Sequence, residues 1–171
     1  FDIHGGGLDL KFPHHECEIA QVEPVTGKEP FVRFWMHIAM VRHEGEKMSK
    51  SLGNLVMARD LLQTHSTDAI RAYLLGHHYR TSWEYDEDRL RQAITRVEQF
   101  TAASQADAVA GGNPLDATPF RKRFVATMDD DLDTPGALSL LDELAEAITA
   151  ASGKRDLVAA QGVLRELAGV L

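Results

Sequence analysis

Two lysines in a glycine-bounded loop are the residues of this sequence best suited to chemistry on phosphate groups. Lys47 and Lys50 flank a Met-Ser pair within residues 44–54, and serines stand at positions 49 and 51. Two ammonium groups and two hydroxyls on a mobile loop can stabilise a pyrophosphate whose negative charge grows during phosphoryl displacement. A solvated run of surface charge would show less order than this pattern. We therefore predict that Lys47 and Lys50 are catalytic.

A glycine-rich turn near the N-terminus is a candidate nucleotide site. Residues 1–4 alternate apolar and polar side chains as a short strand does, and Gly5 to Gly7 then lead to Asp9. Backbone N–H groups in such a turn can approach a nucleotide, and the Asp9 carboxylate can accept hydrogen bonds from ribose hydroxyls. A tight turn with a solvated aspartate explains the same residues equally well, so both interpretations stay open.

The segment Pro13 to Glu18 contains the spacing of a two-ligand zinc site. If a helix begins near Pro13, His14 and Glu18 share one face, the arrangement by which a helix presents two ligands to one ion. His15 and Glu16 would then point elsewhere, and Cys17, one position off that face, is a poor candidate for the same ion. Zinc takes four ligands, or three and a water, so these two residues make no closed site. A hydrogen bond between His14 and Glu18 at a helix N-terminus is the simpler interpretation of this stretch alone.

Composition limits the classes of protein to which the chain can belong. Its 171 residues suit one ordinary domain or two small ones, and 18 Lys and Arg against 26 Asp and Glu give a net charge of −8. An acidic surface argues against broad binding to phosphate backbones. The single cysteine, Cys17, excludes an internal disulfide and predicts a cytoplasmic location. No apolar run reaches the ~18 residues of a membrane span, so no membrane partner is expected.

A small α/β part followed by helices must position these residues. The expected elements are a strand at 1–4, a helix at 14–21, a strand within 31–41, a polar loop at 42–54 and helices from residue 57 to the C-terminus. The glycine-containing stretch 106–114 is the best candidate linker. The sequence therefore predicts an α/β fold that becomes mainly α.

The five residues from Lys47 to Ser51 spell KMSKS, the signature of class I aminoacyl-tRNA synthetases, and the chain around them resembles cysteinyl-tRNA synthetases. The resemblance covers nearly the whole chain, and its motifs follow one another in the expected order. They are FDIHGGGLDLKFPHHECEIAQ, TGKEPFVRFWMHIAMV, GEKMSKSLGN, DAIRAYLLGHHYRTSWEYDEDRL and MDDDLDTPGALSLLDEL. Several long motifs in register make a chance match improbable.

The resemblance implies the C-terminal half of a Rossmann-like class I synthetase catalytic domain followed by a helical bundle. Residues 1–55 would end the catalytic domain and carry the KMSKS loop, residues 56–105 would form connecting helices of the stem-contact type, and residues 106–171 a helical domain. The implied activity is ATP-dependent activation of cysteine to cysteinyl adenylate, with Mg²⁺ accompanying ATP. Transfer of cysteine to tRNA-Cys follows.

The resemblance also implies roles for individual residues of the nucleotide site. Gly7 and Asp9 would lie at the adenosine and the ribose. Lys47 and Lys50 would stabilise the departing pyrophosphate, with Lys50 in direct contact, and Met48 would help to seat the adenine. The implied ATP-binding set is Gly7, Asp9, Lys47, Met48, Ser49, Lys50 and Ser51.

For the metal, His14 and Glu18 match two of the four zinc ligands of the family, in which zinc selects cysteine by binding its thiolate. The other two ligands in the family are upstream cysteines, and the HIGH motif, whose histidines stabilise the ATP phosphates, also lies upstream; this chain contains neither. Cys17 and Leu8 replace residues that are common in the family, so no function is assigned to them. We expect the chain to need the N-terminal half of a synthetase as its partner, and to bind zinc poorly alone.

Two other functions fit the same residues. The related ligase that joins cysteine to an amino sugar in mycothiol synthesis uses the same adenylate chemistry and zinc. Residues 19–21 and the MDDDLDTP segment favour the synthetase over that ligase. A synthetase paralogue that has lost catalysis would serve instead as a nucleotide-binding or protein-interaction module. An upstream synthetase half would exclude the paralogue, and a C-terminal tRNA-binding extension would exclude the amino-sugar ligase.

Overall fold

The structure, a computed structural model, describes residues 1–171 as two compact units. Unit one comprises residues 1–55 and 79–85, and unit two comprises residues 56–78 and 86–171. The strands are β1 (Ile3–Gly7), β2 (Phe34–Ile38), β3 (Val41–His43), β4 (Glu46–Lys47) and β5 (Trp83–Glu84). The helices are α1 (Glu16–Thr26), α2 (Ala58–Leu61), α3 (Thr67–Leu75), α4 (Glu87–Ser104), α5 (Thr118–Asp129), α6 (Thr134–Ala150) and α7 (Val158–Val170).

Strands β1 and β2 of unit one run parallel and pair along their whole length. The prediction that Gly5 to Gly7 form a turn is wrong, because all three glycines belong to β1. At Gly6 and Gly7 the lack of a side chain serves packing instead. A Cβ at Gly6 would lie 2.9 Å from Cε1 of His15, so only glycine lets that ring approach the strand.

A second small sheet of unit one has the strand order β4-β3-β5. β3 and β4 form an antiparallel hairpin, with Arg42 opposite Lys47, inside the stretch that the sequence predicts to be a polar loop. Glu44 and Gly45 connect them with positive φ angles of 56° and 78°, as a two-residue type I′ turn requires. β5 lies parallel to β3, and Glu84 Oε1 accepts a hydrogen bond of 2.9 Å from the Gly45 N–H.

Helix α1 begins and ends later than the sequence predicts. His14 and His15 precede it in a wide turn, Lys11–His15. Pro24 lies inside the last part of α1, where one missing N–H does not end the helix. The helix ends at Gly27, whose φ of 66° is left-handed and whose N–H donates to the Glu23 carbonyl over 2.8 Å.

Unit two is helical, and α6 is the helix with the largest buried face. The largest fully buried side chains are Leu141, Leu144, Ile148, Leu157 and Leu164. Side-chain oxygens of Ser66, Asp86 and Asp133 cap the N-termini of α3, α4 and α6. None of the helices is both long and apolar enough to span a membrane. The predicted passage from α/β to mainly α is confirmed.

Candidate active site

The ammonium of Lys47 and the carboxylate of Asp9 meet in unit one, although they belong to different elements. Lys47 ends β4, and Asp9 lies in a 3₁₀ turn, Leu8–Leu10, directly after β1. Lys47 Nζ lies 2.5 Å from Asp9 Oδ2, and both side chains are half exposed. The hydrogen bond from Lys47, together with its positive charge, holds the pKa of the Asp9 carboxyl below its ordinary value. The predicted ribose-binding carboxylate and one predicted pyrophosphate-binding lysine therefore face the same place.

Gly7 keeps space open beside that carboxylate. A Cβ at this position would lie 2.6 Å from Asp9 Oδ1 and 2.9 Å from Cε of Met40. Any side chain at position 7 would therefore displace the carboxylate or the Met40 methyl group. Gly7 thus supports the orientation in which Asp9 meets its lysine.

The signature loop, residues 47–54, presents its second lysine to solvent. Lys50 is exposed, and its ammonium makes no hydrogen bond or ion pair. Ser49 Oγ lies 3.2 Å from Ser51 Oγ and accepts a hydrogen bond of 3.3 Å from the Leu52 N–H. Met48 is half-buried. Hydrogen bonds of Ser49 therefore hold the tip of the loop together. The ammonium of Lys50 lies outside these bonds and can contact an anion.

Glu18 lies between two histidines. Its Oε1 is 3.1 Å from Nε2 of His14, and its Oε2 is 3.0 Å from Nε2 of His4. Oε2 is buried, and the orientation of the neighbouring ring gives it no hydrogen bond. The structure therefore brings the predicted pair, His14 and Glu18, together. It adds His4, whose only sequence signal is its place directly before the glycines of β1.

His15 joins the same group, which we define as the His/Glu cluster of His4, His15 and Glu18. The possible ligand atoms of these three side chains all lie within 4.8 Å of one another, and His15 is only 3% exposed. The expectation that His15 points elsewhere is wrong. His15 and Glu18 are three positions apart, and this separation, like one of four, brings two side chains to the same face of a helix. Its Nδ1 lies 2.8 Å from Nε2 of His37, which leaves its own Nε2 for another contact.

His37 and Trp35 support the cluster from β2. Burial lowers the pKa of His37, and the charges of His15, Lys11 and His4 lower it further. The Trp35 ring lies parallel to the His37 ring, with 6.1 Å between the ring centres. A neutral His37 can share one hydrogen bond with His15 and fix the orientation of that ring. The alternation of positions 35 and 37 along β2 is the sequence signal that could have placed both on one face.

The donor set of this region fits a zinc ion. Imidazole nitrogens and carboxylate oxygens are ligands that zinc accepts, and the buried Glu18 Oε2 has no hydrogen-bond partner. Cys17 is exposed and lies outside the His/Glu cluster. The nitrogen and oxygen donors grouped here are therefore of the kinds that a zinc ion accepts.

Two family models match the chain. The model described as tRNA synthetases class I (C) catalytic domain matches residues 1–95, which is more than half of the chain. The DALR domain model matches residues 123–171. The two matches follow the same order as the two kinds of structure, the mixed sheets first and the helices last.

Curated relatives named cysteine–tRNA ligase are similar over most or all of the chain. The relative from Alkalilimnicola ehrlichii is 49% identical over 174 residues, which cover 100% of this chain and 37% of that protein. The relative from Dichelobacter nodosus is 45% identical over 152 residues, or 89% of this chain and 33% of that protein. The chain thus spans little more than a third of the length of these relatives.

Among solved structures, LeuRS of Agrobacterium radiobacter K84, in a ternary complex with tRNA and LeuAMS, has a TM-score of 0.69. The two chains are 17% identical, and the match covers 97% of this chain and 25% of that one, so the likeness concerns the fold alone. The predicted arrangement, a class I catalytic region followed by a helical domain, is confirmed. The chain belongs to the family of class I (C) tRNA synthetase catalytic domains and continues from that domain into a DALR domain.

Proposed function

We propose that the chain is part of a cysteine–tRNA ligase, which converts cysteine and ATP to cysteinyl adenylate and pyrophosphate and then transfers cysteine to tRNA-Cys. The observation that carries this proposal is the approach of Lys47 Nζ to Asp9 Oδ2 at 2.5 Å. It unites the signature loop with the turn after β1, so that groups suited to pyrophosphate and to ribose act on one nucleotide. The relatives named cysteine–tRNA ligase support the choice of cysteine as substrate.

The activation step requires positive charge where pyrophosphate leaves. A carboxylate oxygen of cysteine attacks the α-phosphorus of ATP, and the bond from that phosphorus to the bridging oxygen breaks. Negative charge grows on the pyrophosphate, to which Mg²⁺ is bound as part of the substrate. Lys50, exposed and without a partner, can move to this charge and stabilise it. Lys47 on β4 would add a second positive charge after ribose hydroxyls bind Asp9 and release its ammonium from that carboxylate.

The same region supplies contacts for the rest of the nucleotide. Asp9 would accept hydrogen bonds from the ribose hydroxyls, and Gly7 would let the adenosine lie close to the backbone. The half-buried Met48 offers an apolar surface to the adenine. The hydroxyls of Ser49 and Ser51 would donate to phosphate oxygens in place of their contact with each other.

Zinc is the metal that we assign to the region of Glu18. His14 and Glu18 are the proposed ligands, because their nitrogen and oxygen atoms lie 3.1 Å apart and both donors suit the ion. When bound, zinc would hold the thiolate of cysteine, which serine cannot match. His4 and His15 line the same space. The remaining ligands of a four-coordinate ion would come from the N-terminal half of the ligase.

The proposed partners are therefore cysteine, ATP with Mg²⁺, tRNA-Cys and the N-terminal half of the ligase. A cytoplasmic location is part of the proposal, because the single cysteine is free and exposed, as a reducing compartment allows. The family match to residues 1–95 supports the synthetase.

The test uses a chimera in which this chain replaces the 174 matched residues of the Alkalilimnicola ehrlichii ligase. Cysteine-dependent ATP–pyrophosphate exchange is measured first, and charging of tRNA-Cys second. We expect both activities in the chimera, and no exchange when serine replaces cysteine. The chain alone should show no ATP–pyrophosphate exchange, because only the chimera supplies the upstream cysteines and the HIGH motif.

A folded chimera without exchange, beside an active parent enzyme, would contradict the proposed function. Exchange followed by transfer of cysteine to an amino sugar, with no charging of tRNA-Cys, would identify the amino-sugar ligase instead.

A further inference from the structure

The side-chain amide of Asn54 closes the signature loop on itself. Its Oδ1 accepts a hydrogen bond of 2.9 Å from the Ser49 N–H, and its Nδ2 donates to the Lys47 carbonyl over 3.4 Å. One half-buried side chain thus bonds to the backbone on both sides of Met48. We define these two bonds as the Asn54 clasp.

The Asn54 clasp is itself anchored to the hairpin of β3 and β4. The backbone carbonyl of Asn54 lies 3.2 Å from Nδ1 of His43, the last residue of β3. His43 stands opposite Glu46 in the hairpin, and its ring meets the Tyr85 ring edge-on with 5.5 Å between the ring centres. The end of the signature loop is therefore fixed to the same hairpin from which the loop begins.

The clasp separates the two lysines of the loop. Lys47 lies on its anchored side, where its backbone pairs with Arg42 and its ammonium bonds to Asp9. Lys50 lies beyond the clasp, on a tip closed only by local bonds such as that from the Gly53 N–H to the Lys50 carbonyl, at 3.2 Å. The loop therefore holds one ammonium in place and leaves the other free to move.

We propose that Asn54 is a positioning residue, whose amide holds Lys47 at the nucleotide site while leaving Lys50 on a tip that moves to the pyrophosphate. This role rests on the proposed function and deepens it. Fixing one cation before ATP binds lowers the cost of ordering it during the reaction. A movable second cation can close on the phosphates only when they are present.

Two substitutions in the chimera test the kinetic part of this role. Asn54→Ala removes both bonds of the clasp and should lower kcat/KM for ATP by about tenfold, with KM for cysteine changed less than about twofold. Asn54→Asp keeps the acceptor for Ser49 but loses the donor to Lys47, so its loss should be smaller. The control is Asn113→Ala, which alters the only other asparagine, an exposed residue whose side chain makes no hydrogen bond.

Full activity of Asn54→Ala would overturn the proposal. An equal rise in KM for ATP and for cysteine would overturn it as well, because that result indicates general damage to unit one rather than positioning of a lysine.

Trypsin digestion without substrates tests the clasp apart from catalysis. Trypsin cleaves after lysine, and the clasp protects the Lys47–Met48 bond while the Lys50–Ser51 bond lies outside it. We expect cleavage after Lys50 first, and cleavage after Lys47 about tenfold faster in Asn54→Ala than in the unchanged chimera. Equal cleavage after Lys47 in both would overturn the clasp. An inactive chimera with a protected Lys47 would contradict the proposed function and still support the clasp.

Discussion

Asp9 accepts a hydrogen bond from the ammonium of Lys47 across 2.5 Å, although the two residues are 38 positions apart in the chain. Without nucleotide, each side chain satisfies the charge of the other. Ribose hydroxyls that bind Asp9 would take the place of the ammonium, so the arrival of ATP would free Lys47. Under the proposed function, the pair would couple occupancy of the ribose site to the positive charge available for pyrophosphate.

The carboxyl of Asp9 should titrate below the ordinary range of aspartate, and Lys47→Met should return its pKa toward that range. The pair stabilises the folded chain above the pKa of unfolded aspartate, and this contribution is lost as pH falls through the lower pKa of the folded state. NMR titration of the Asp9 carboxyl carbon measures the change. Lys28→Met is the control, because Lys28 is exposed and its ammonium has no partner. The same Asp9 pKa in all three proteins would exclude the ion pair in solution.

Lys50→Ala in the chimera should reduce cysteine-dependent ATP–pyrophosphate exchange by about 100-fold, as loss of a group that stabilises developing negative charge does. Folding should be unaffected, because the ammonium of Lys50 has no partner in the structure. Circular dichroism checks the fold, and Lys28→Ala controls for loss of an exposed cation. Unchanged exchange would remove Lys50 from the mechanism.

Gly6→Ala should displace the ring of His15, because a Cβ there would lie 2.9 Å from Cε1 and 3.2 Å from Nε2 of that buried ring. We expect a loss of stability of about 1–3 kcal/mol, the usual cost of overpacking, together with weaker zinc binding. Gly5→Ala is the matched control, because its nearest neighbour, the Met36 carbonyl oxygen, lies at an ordinary 3.5 Å. Thermal unfolding and zinc content of the two variants provide the measurement. Equal effects of both substitutions would show that strand conformation, and not contact with His15, decides the outcome.

Glu18→Gln and His14→Ala should each lower zinc retention of the purified chimera by about tenfold or more, as loss of a ligand does. Cys17→Ser should leave zinc unchanged, since Cys17 is exposed and lies outside the His/Glu cluster. Elemental analysis after dialysis gives the zinc content. Full zinc in His14→Ala, with loss in His4→Ala, would assign the ion to the His/Glu cluster instead.

Helical spacing is a local rule, and it succeeds where the structure is locally regular. The pair of His14 and Glu18 could be predicted because the intervening chain keeps close to helical spacing. His15 could have been predicted as well, because it stands three positions before Glu18, a spacing that also places two side chains on one face of a helix. The extended backbone of Phe12, φ −139° and ψ 134°, agrees with the preference of a residue that precedes proline. His4 and Glu18 meet only after β1 and α1 pack together, which is a tertiary event.

The hairpin of β3 and β4 could not be predicted from hydrophobic alternation, because its strands carry Arg42, His43, Glu46 and Lys47. Polar strands of two or three residues match the pattern of a loop. The Glu44 and Gly45 pair was the available turn signal, and it is weak because glutamate rarely adopts a positive φ. The larger helices were predictable because their apolar side chains recur with a helical period over many turns.

Strand β5 comes from residues 83–84, yet it pairs with β3, which the ribosome completes about forty residues earlier. While the chain is being synthesised, the outer edge of β3 therefore has no partner until helices α2 and α3 have been made. An unpaired edge is a site where other chains can add a strand. A chain ending at residue 78 would lack β5, so the edge of β3 that β5 covers would stay unpaired.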